Sequence, residues 1–110
     1  MNLKKFSEVF NGRLEKYLER KVRAYVKVSS DEFVHRLLSY TSKMIVAGGK
    51  RLRPYMIYLG YRAAGGKKFL ECLPVALGYE IFHFFALVHD DVIDRGKRRH
   101  GLQTVHEYFD

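Results

Sequence analysis

Residues 72–94 read CLPVALGYEIFHFFALVHDDVID, and the reading of this stretch decides the fold. Pro74 suits the first turn of a helix, where its missing N–H costs nothing. The pattern from there predicts helix to about Asp94. Ile81, Phe82, Phe84, Phe85, Ala86, Leu87 and Val88 leave almost no polar side. A helix that is apolar nearly all the way round belongs at the centre of a protein, so the prediction is a buried core helix. The apolar run itself, Cys72 to Val88, contains Glu80 and His83 and is short for a membrane span.

The flanking sequence keeps the same helical period. Leu3, Phe6, Phe10, Leu14, Tyr17 and Lys21, continued by Val22, Tyr25 and Val26, form the stripe of a first helix. Ser29-x-x-Glu32 reads as a capping box opening a second helix. Its apolar face is Phe33, Val34, Leu37, Leu38, Thr41, Met44 and Ile45, and Gly48-Gly49 stops it. Pro54 falls in the first turn of a third helix that Gly65-Gly66 ends. Thr104-x-x-Glu107 is a further capping box, and Val105 to Asp110 would open a fifth helix too short to pack. The expectation is all-α: residues 1–110 as the incomplete front part of one helical domain.

The chain has 110 residues, with 47% hydrophobic and 29% charged, which describes a folding sequence and excludes a disordered one. Twenty Lys and Arg against twelve Asp and Glu leave a formal charge of +8, so an anionic ligand or surface is expected. A single cysteine, Cys72, excludes an internal disulfide framework and fits a reducing, cytoplasmic compartment. The N-terminus shows no apolar signal-peptide core.

Two segments break local rules in complementary ways. Gly48-Gly49-Lys50-Arg51-Leu52-Arg53-Pro54 puts three cations at a helix start, where the dipole disfavours them by up to ~1 kcal/mol each. A solvated basic connection is one reading; a phosphate or diphosphate site built from those cations and the free helix N–H groups is the other. His89-Asp90-Asp91-Val92-Ile93-Asp94 crowds carboxylates at a negative helix end. Asp90 and Asp94 share one face about 6 Å apart, and hard oxygen donors without cysteine favour Mg²⁺. A solvated acidic end is the alternative. Asp91 is rotated about 100° from that face and is expected to matter far less to turnover. His83 lies seven residues before Asp90 on the same stripe, either a satisfied core histidine or a ligand to the same substrate. Arg95-Gly96-Lys97-Arg98-Arg99-His100-Gly101 is another basic loop beyond the carboxylates. A diphosphate-bearing substrate above an apolar aromatic cavity satisfies all of these features together.

These residues resemble the trans-isoprenyl diphosphate synthases, the polyprenyl synthetase family. The resemblance rests on GGKRLRP (48–54), His83, DDVID (90–94) after His89, and Arg99-His100-Gly101 followed by Thr104-Val105-His106. It runs from about residue 30 to the end. It implies the isoprenoid synthase helical bundle, of which these are N-terminal helices. It implies that Lys50, Arg53 and His83 hold isopentenyl diphosphate, and that Asp90 and Asp94 bind Mg²⁺ and are the catalytic carboxylates. It implies that Arg99 contacts the allylic diphosphate, with His100 beside it. The chemistry implied is loss of diphosphate to give an allylic cation, which the isopentenyl double bond attacks. Three departures from the family pattern stand out. His100 replaces the second arginine of Arg-Arg-Gly, Leu102-Gln103 replaces a small residue plus proline, and the second aspartate-rich motif is absent.

In that family a bulky side chain one to two turns before the aspartates limits product length. Phe85 and Ala86 occupy that position, which implies geranylgeranyl or farnesyl diphosphate; the alternative is that Phe85 faces another helix. The expected enzyme is therefore a Mg²⁺-dependent prenyltransferase, truncated or split, inactive alone, and associated as a homodimer or with a C-terminal part. A non-catalytic binding or regulatory subunit is the second hypothesis. A nucleic-acid module ranks last, because the basic loops surround carboxylates that would repel phosphates.

Overall fold

The computed structural model describes residues 1–109. Four long helices, a two-residue hairpin and a short helix follow in order: α1 Leu3–Val28, α2 Glu32–Ala47, α3 Leu52–Ala63, α4 Phe69–Ile93, β1 Arg98–Arg99, β2 Leu102–Gln103 and α5 Val105–Tyr108. The expected all-α class is what is found. α1 packs on α2, α3 packs on α4, and α1 also touches α3. The result is a slab of 46 × 34 × 19 Å. Its thinnest dimension is about two helix diameters, so an α4 inside it has neighbours on one side only.

The core forms where the helices cross. Phe6, Phe10, Leu14 and Leu18 are the buried stripe of α1. Steps of four residues put Leu18 inside, while Tyr17 is only partly buried and Lys21 is exposed, so the stripe drifts from the expected one. Phe6 is the hub: its ring contacts Phe10, Tyr55, Tyr58 and Phe69, joining α1, α3 and the start of α4. Cys72 is buried in this core, and burial pushes its thiol pKa up, so it packs as a small apolar residue.

Several local expectations are corrected. Asp31, not Ser29, caps α2; its carboxylate accepts from the N–H groups of Phe33 (3.0 Å) and Val34 (3.3 Å). A charged acceptor gains from the helix dipole as well as the hydrogen bonds. Ser29 instead ends α1. On α2, Tyr40 joins Met44 and Ile45 in the core, whereas Phe33 stays exposed. α4 starts five residues before Pro74, which therefore sits in the second turn. Phe69 draws the start back by docking against Phe6 and Tyr58.

α4 is also not buried all round. Cys72, Leu73, Ala76, Leu77, Glu80, Phe84 and Asp91 face the slab, while Val75, Tyr79, Phe82 (65% exposed), Phe85 (59%) and Ile93 face out. By length and composition alone α4 is long and apolar enough to cross a membrane, a weak criterion that core helices also meet. An ion pair at its middle, Glu80 with Arg51, fits the core reading.

The basic segment after α4, read as a loop, is a hairpin with Arg98 opposite Gln103 and Arg99 opposite Leu102. His100 (φ 52°) and Gly101 (φ 78°) make its turn. Two consecutive positive-φ residues are what a tight hairpin requires. Thr104 does cap α5 by position, but its hydroxyl makes no capping bond. It donates instead to the Gly96 carbonyl at 2.8 Å, tying the hairpin back to the end of α4.

Candidate functional site

The loop between α2 and α3, the inner face of α4 and the hairpin surround one cavity of about 270 Å³. Lys50, Arg53, His83, Arg99 and His100, the five substrate contacts expected from the sequence, all line it. Leu52, Phe84 and Leu87 supply apolar wall. Asp90 and Asp94 do not line it; they lie exposed at the C-terminal end of α4.

The cations of the 48–54 loop divide into two roles. Arg51 is 5% exposed and adopts the left-handed conformation (φ 58°) that non-glycine residues avoid. Its guanidinium donates to the Asn11 side chain (2.6 Å), the Ile45 carbonyl (2.7 Å) and Glu80 (3.3 Å). Arg51 is therefore a strut of the loop, not one of three cations awaiting an anion. Lys50 and Arg53 remain exposed, and α3 begins with no side-chain cap, so its first N–H groups lack a side-chain acceptor. Cationic side chains beside uncapped N–H groups suit a phosphate.

Arg53 and His83 meet at 3.1 Å, Nη1 to Nε2. Guanidinium always donates, so Nε2 accepts in this contact. The His100 ring lies where a side chain on Gly48 would stand, so a larger residue there would displace it. Burial, together with Arg99 and Arg51, pushes the His100 pKa below its ordinary value, which favours the uncharged imidazole. An anion bound between these cations would pull it back up.

Asp91 is the main departure from the expected arrangement. It is 7% exposed and holds Arg99 through two hydrogen bonds, 2.9 Å from Nε and 2.7 Å from Nη2. Arg99 thus reaches the cavity already paired. Sequence reasoning gave Asp91 only a minor part and passed over Glu80 and the structural part of Arg51. Glu80 carried a signal: a carboxylate inside an apolar helix needs a cation.

Among the described residues, no cluster of three or more His, Cys, Asp or Glu side chains is placed to hold a metal. Two exposed carboxylates one turn apart nevertheless fit Mg²⁺, which takes one or two carboxylates and completes its shell with water and phosphate oxygens. They do not fit a cage made wholly of protein ligands.

Fold and site together define an all-α protein with a cationic, half-apolar cavity next to an aspartate-rich helix end. The polyprenyl synthetase family model matches residues 34–110, and the chain belongs to that family. It is similar to a geranylgeranyl pyrophosphate synthase of Geoglobus acetivorans, 35% identical over 103 residues, which cover 94% of this chain and 31% of that protein. It is similar to a geranylfarnesyl diphosphate synthase of Aeropyrum pernix, 42% identical over 75 residues (67% of this chain, 24% of that protein). A chloroplastic solanesyl diphosphate synthase 2 of Arabidopsis thaliana is 41% identical over 78 residues (66% and 19%). The chain thus spans between a fifth and a third of the length of these relatives. No solved structure matches it.

Proposed function

We propose that residues 1–110 are the diphosphate-binding N-terminal part of a single polyprenyl synthetase-like domain, working in the cytoplasm. The enzyme would condense isopentenyl diphosphate with an allylic diphosphate. The observation that carries this is the convergence of Lys50, Arg53, His83, Arg99 and His100 on one cavity from three separate segments. In this reading Lys50, Arg53 and His83 grip isopentenyl diphosphate. Arg99 and His100 donate to the allylic diphosphate. Asp90 and Asp94 would hold Mg²⁺, which when bound neutralises charge on the departing diphosphate. Cations lining the cavity favour the charge that builds on that leaving group. The isopentenyl double bond attacks the allylic cation, a C–C bond forms, and a proton is lost. The outward face of α4 guides the prenyl tail, and a second copy or further helices of the domain cover that face, since so large an apolar surface seldom stays bare.

The test is calorimetric titration of the chain with inorganic pyrophosphate and isopentenyl diphosphate, with and without Mg²⁺. Both ligands are expected to bind, more tightly with Mg²⁺. Lys50→Ala and Arg53→Ala are each expected to weaken binding about tenfold or more, as for a lost charge-assisted hydrogen bond. Failure of both ligands to bind, or variants that bind like the parent, would overturn the reading.

Product length hangs on Phe85. Its ring is 59% exposed on the outward face of α4, with its centroid 4.4 Å from that of the His89 ring. It stands about 7.5 Å along α4 from Asp90. The ring is proposed to limit the tail, giving geranylgeranyl or farnesyl diphosphate. In an active enzyme carrying this chain, Phe85→Ala should shift products to longer chains, resolved by chromatography. An unchanged distribution would remove Phe85 from the tail path.

A further inference from the structure

Asp91 is left without a task by the reading above, yet it is the best-held carboxylate of the 90–94 run. Both its oxygens are taken by the Arg99 guanidinium, at 2.7 and 2.9 Å. The chain folds back to make this pairing possible. The Gly96 N–H donates to the Asp91 carbonyl at 2.9 Å, and a Cβ on Gly96 would lie 3.5 Å from Asp91 Oδ1. Thr104, fully buried just after β2, anchors the Gly96 carbonyl. Arg99 lines the cavity and Asp91 does not.

We propose that Asp91 is a positioning residue: it clamps the Nε–Nη2 edge of Arg99 so that the remaining N–H groups present a fixed donor set to the substrate diphosphate. The proposal rests on the diphosphate reading of this cavity. A guanidinium carries five N–H groups in a rigid plane. The pairing uses one on Nε and one on Nη2, which leaves three for an anion. Without the clamp, Arg99 would keep its charge but sample many rotamers, losing the preorganisation that makes a bidentate donor effective. The same hairpin carries His100 against Gly48. An aspartate with both oxygens engaged in this way is an anchor, distinct in role from the exposed Asp90 and Asp94.

The experiment is a double-mutant cycle on the chain, read by pyrophosphate titration at fixed Mg²⁺. Asp91→Asn should weaken binding about tenfold, in the range of a lost charged hydrogen bond. Arg99→Ala should weaken it at least as much, and Asp91→Asn should add nothing in the Arg99→Ala background. Additive losses, or an Asp91→Asn chain that binds like the parent, would overturn the role while leaving the diphosphate reading intact. Absence of binding by the parent chain would overturn both. Should Asp91→Asn fail to fold, Arg99→Lys decides. It keeps the charge and removes the fork, so parent-like affinity would overturn the proposal and a comparable loss would support it.

Discussion

Replacing Asp90 or Asp94 with alanine is expected to lower prenyl transfer by an enzyme carrying this chain about 10³-fold, the size of effect that losing several kcal/mol of charge stabilisation produces. In the chain itself, each substitution should abolish the gain in pyrophosphate affinity that Mg²⁺ confers. Both carboxylates are exposed one turn apart, Asp90 in the last turn of α4 and Asp94 as its C-cap. The helix stays regular between them, with the Asp94 N–H donating to the Asp90 carbonyl at 2.8 Å. Two like charges at the negative end of a helix repel each other and the dipole. A cation there relieves both, and the cost of the arrangement without one is the physical reason to expect a cation. Asp91→Ala is now expected to weaken pyrophosphate binding as well, against the minor role inferred from its rotation alone. Its signature differs: the loss should be the same with and without Mg²⁺, because it acts through Arg99. A Mg²⁺ titration of the three variants separates the cases. Asp90→Ala and Asp94→Ala chains that retain the full Mg²⁺ gain would sink the metal assignment.

The helices and the cavity were legible because they leave marks at short range. Gly48-Gly49 and Gly65-Gly66 end α2 and α3 where expected, and four-residue steps of aromatic and aliphatic residues announce the buried face of α1. Cations at a helix start announce an anion site, since there they oppose the dipole. What escaped depends on chain reversal. A helical wheel rotates Asp91 away from Asp90 correctly, but it carries no information about a guanidinium eight residues on that folds back to meet it. Two-residue strands are too short for alternation to show, so the hairpin was read as a loop, although a His-Gly pair that takes positive φ stands at its turn. The exposure of half of α4 escaped for another reason. Composition reports that a face is apolar and says nothing of which neighbour covers it.

Arg51 illustrates the same limit within a single motif, and it leads to the largest expected loss of stability. Arg51 and Arg53 stand two residues apart in one basic run and both line the cavity, yet Arg51 is buried and Arg53 is exposed. Arg51→Ala should destabilise the chain by about 3–5 kcal/mol, because Glu80 would remain as a buried carboxylate without its cation. Against a typical domain stability of about 5–15 kcal/mol this is enough to unfold much of the population. Urea denaturation followed by circular dichroism measures it. Arg51→Lys should recover little, since an ammonium cannot reach Asn11, Ile45 and Glu80 in the planar fork that the guanidinium offers. The double variant Arg51→Met with Glu80→Leu should recover most of the loss, as buried ion pairs replaced by apolar residues often do. It should not recover pyrophosphate affinity. Arg51 holds residue 51 in a left-handed turn against the Ile45 carbonyl, and that turn is what sets Lys50 and Arg53 on the cavity rim. A double variant that is both stable and fully competent to bind would show that the loop needs no such strut. A stable variant with weak binding would show that this buried arginine serves the site by shaping the backbone on which its neighbours stand.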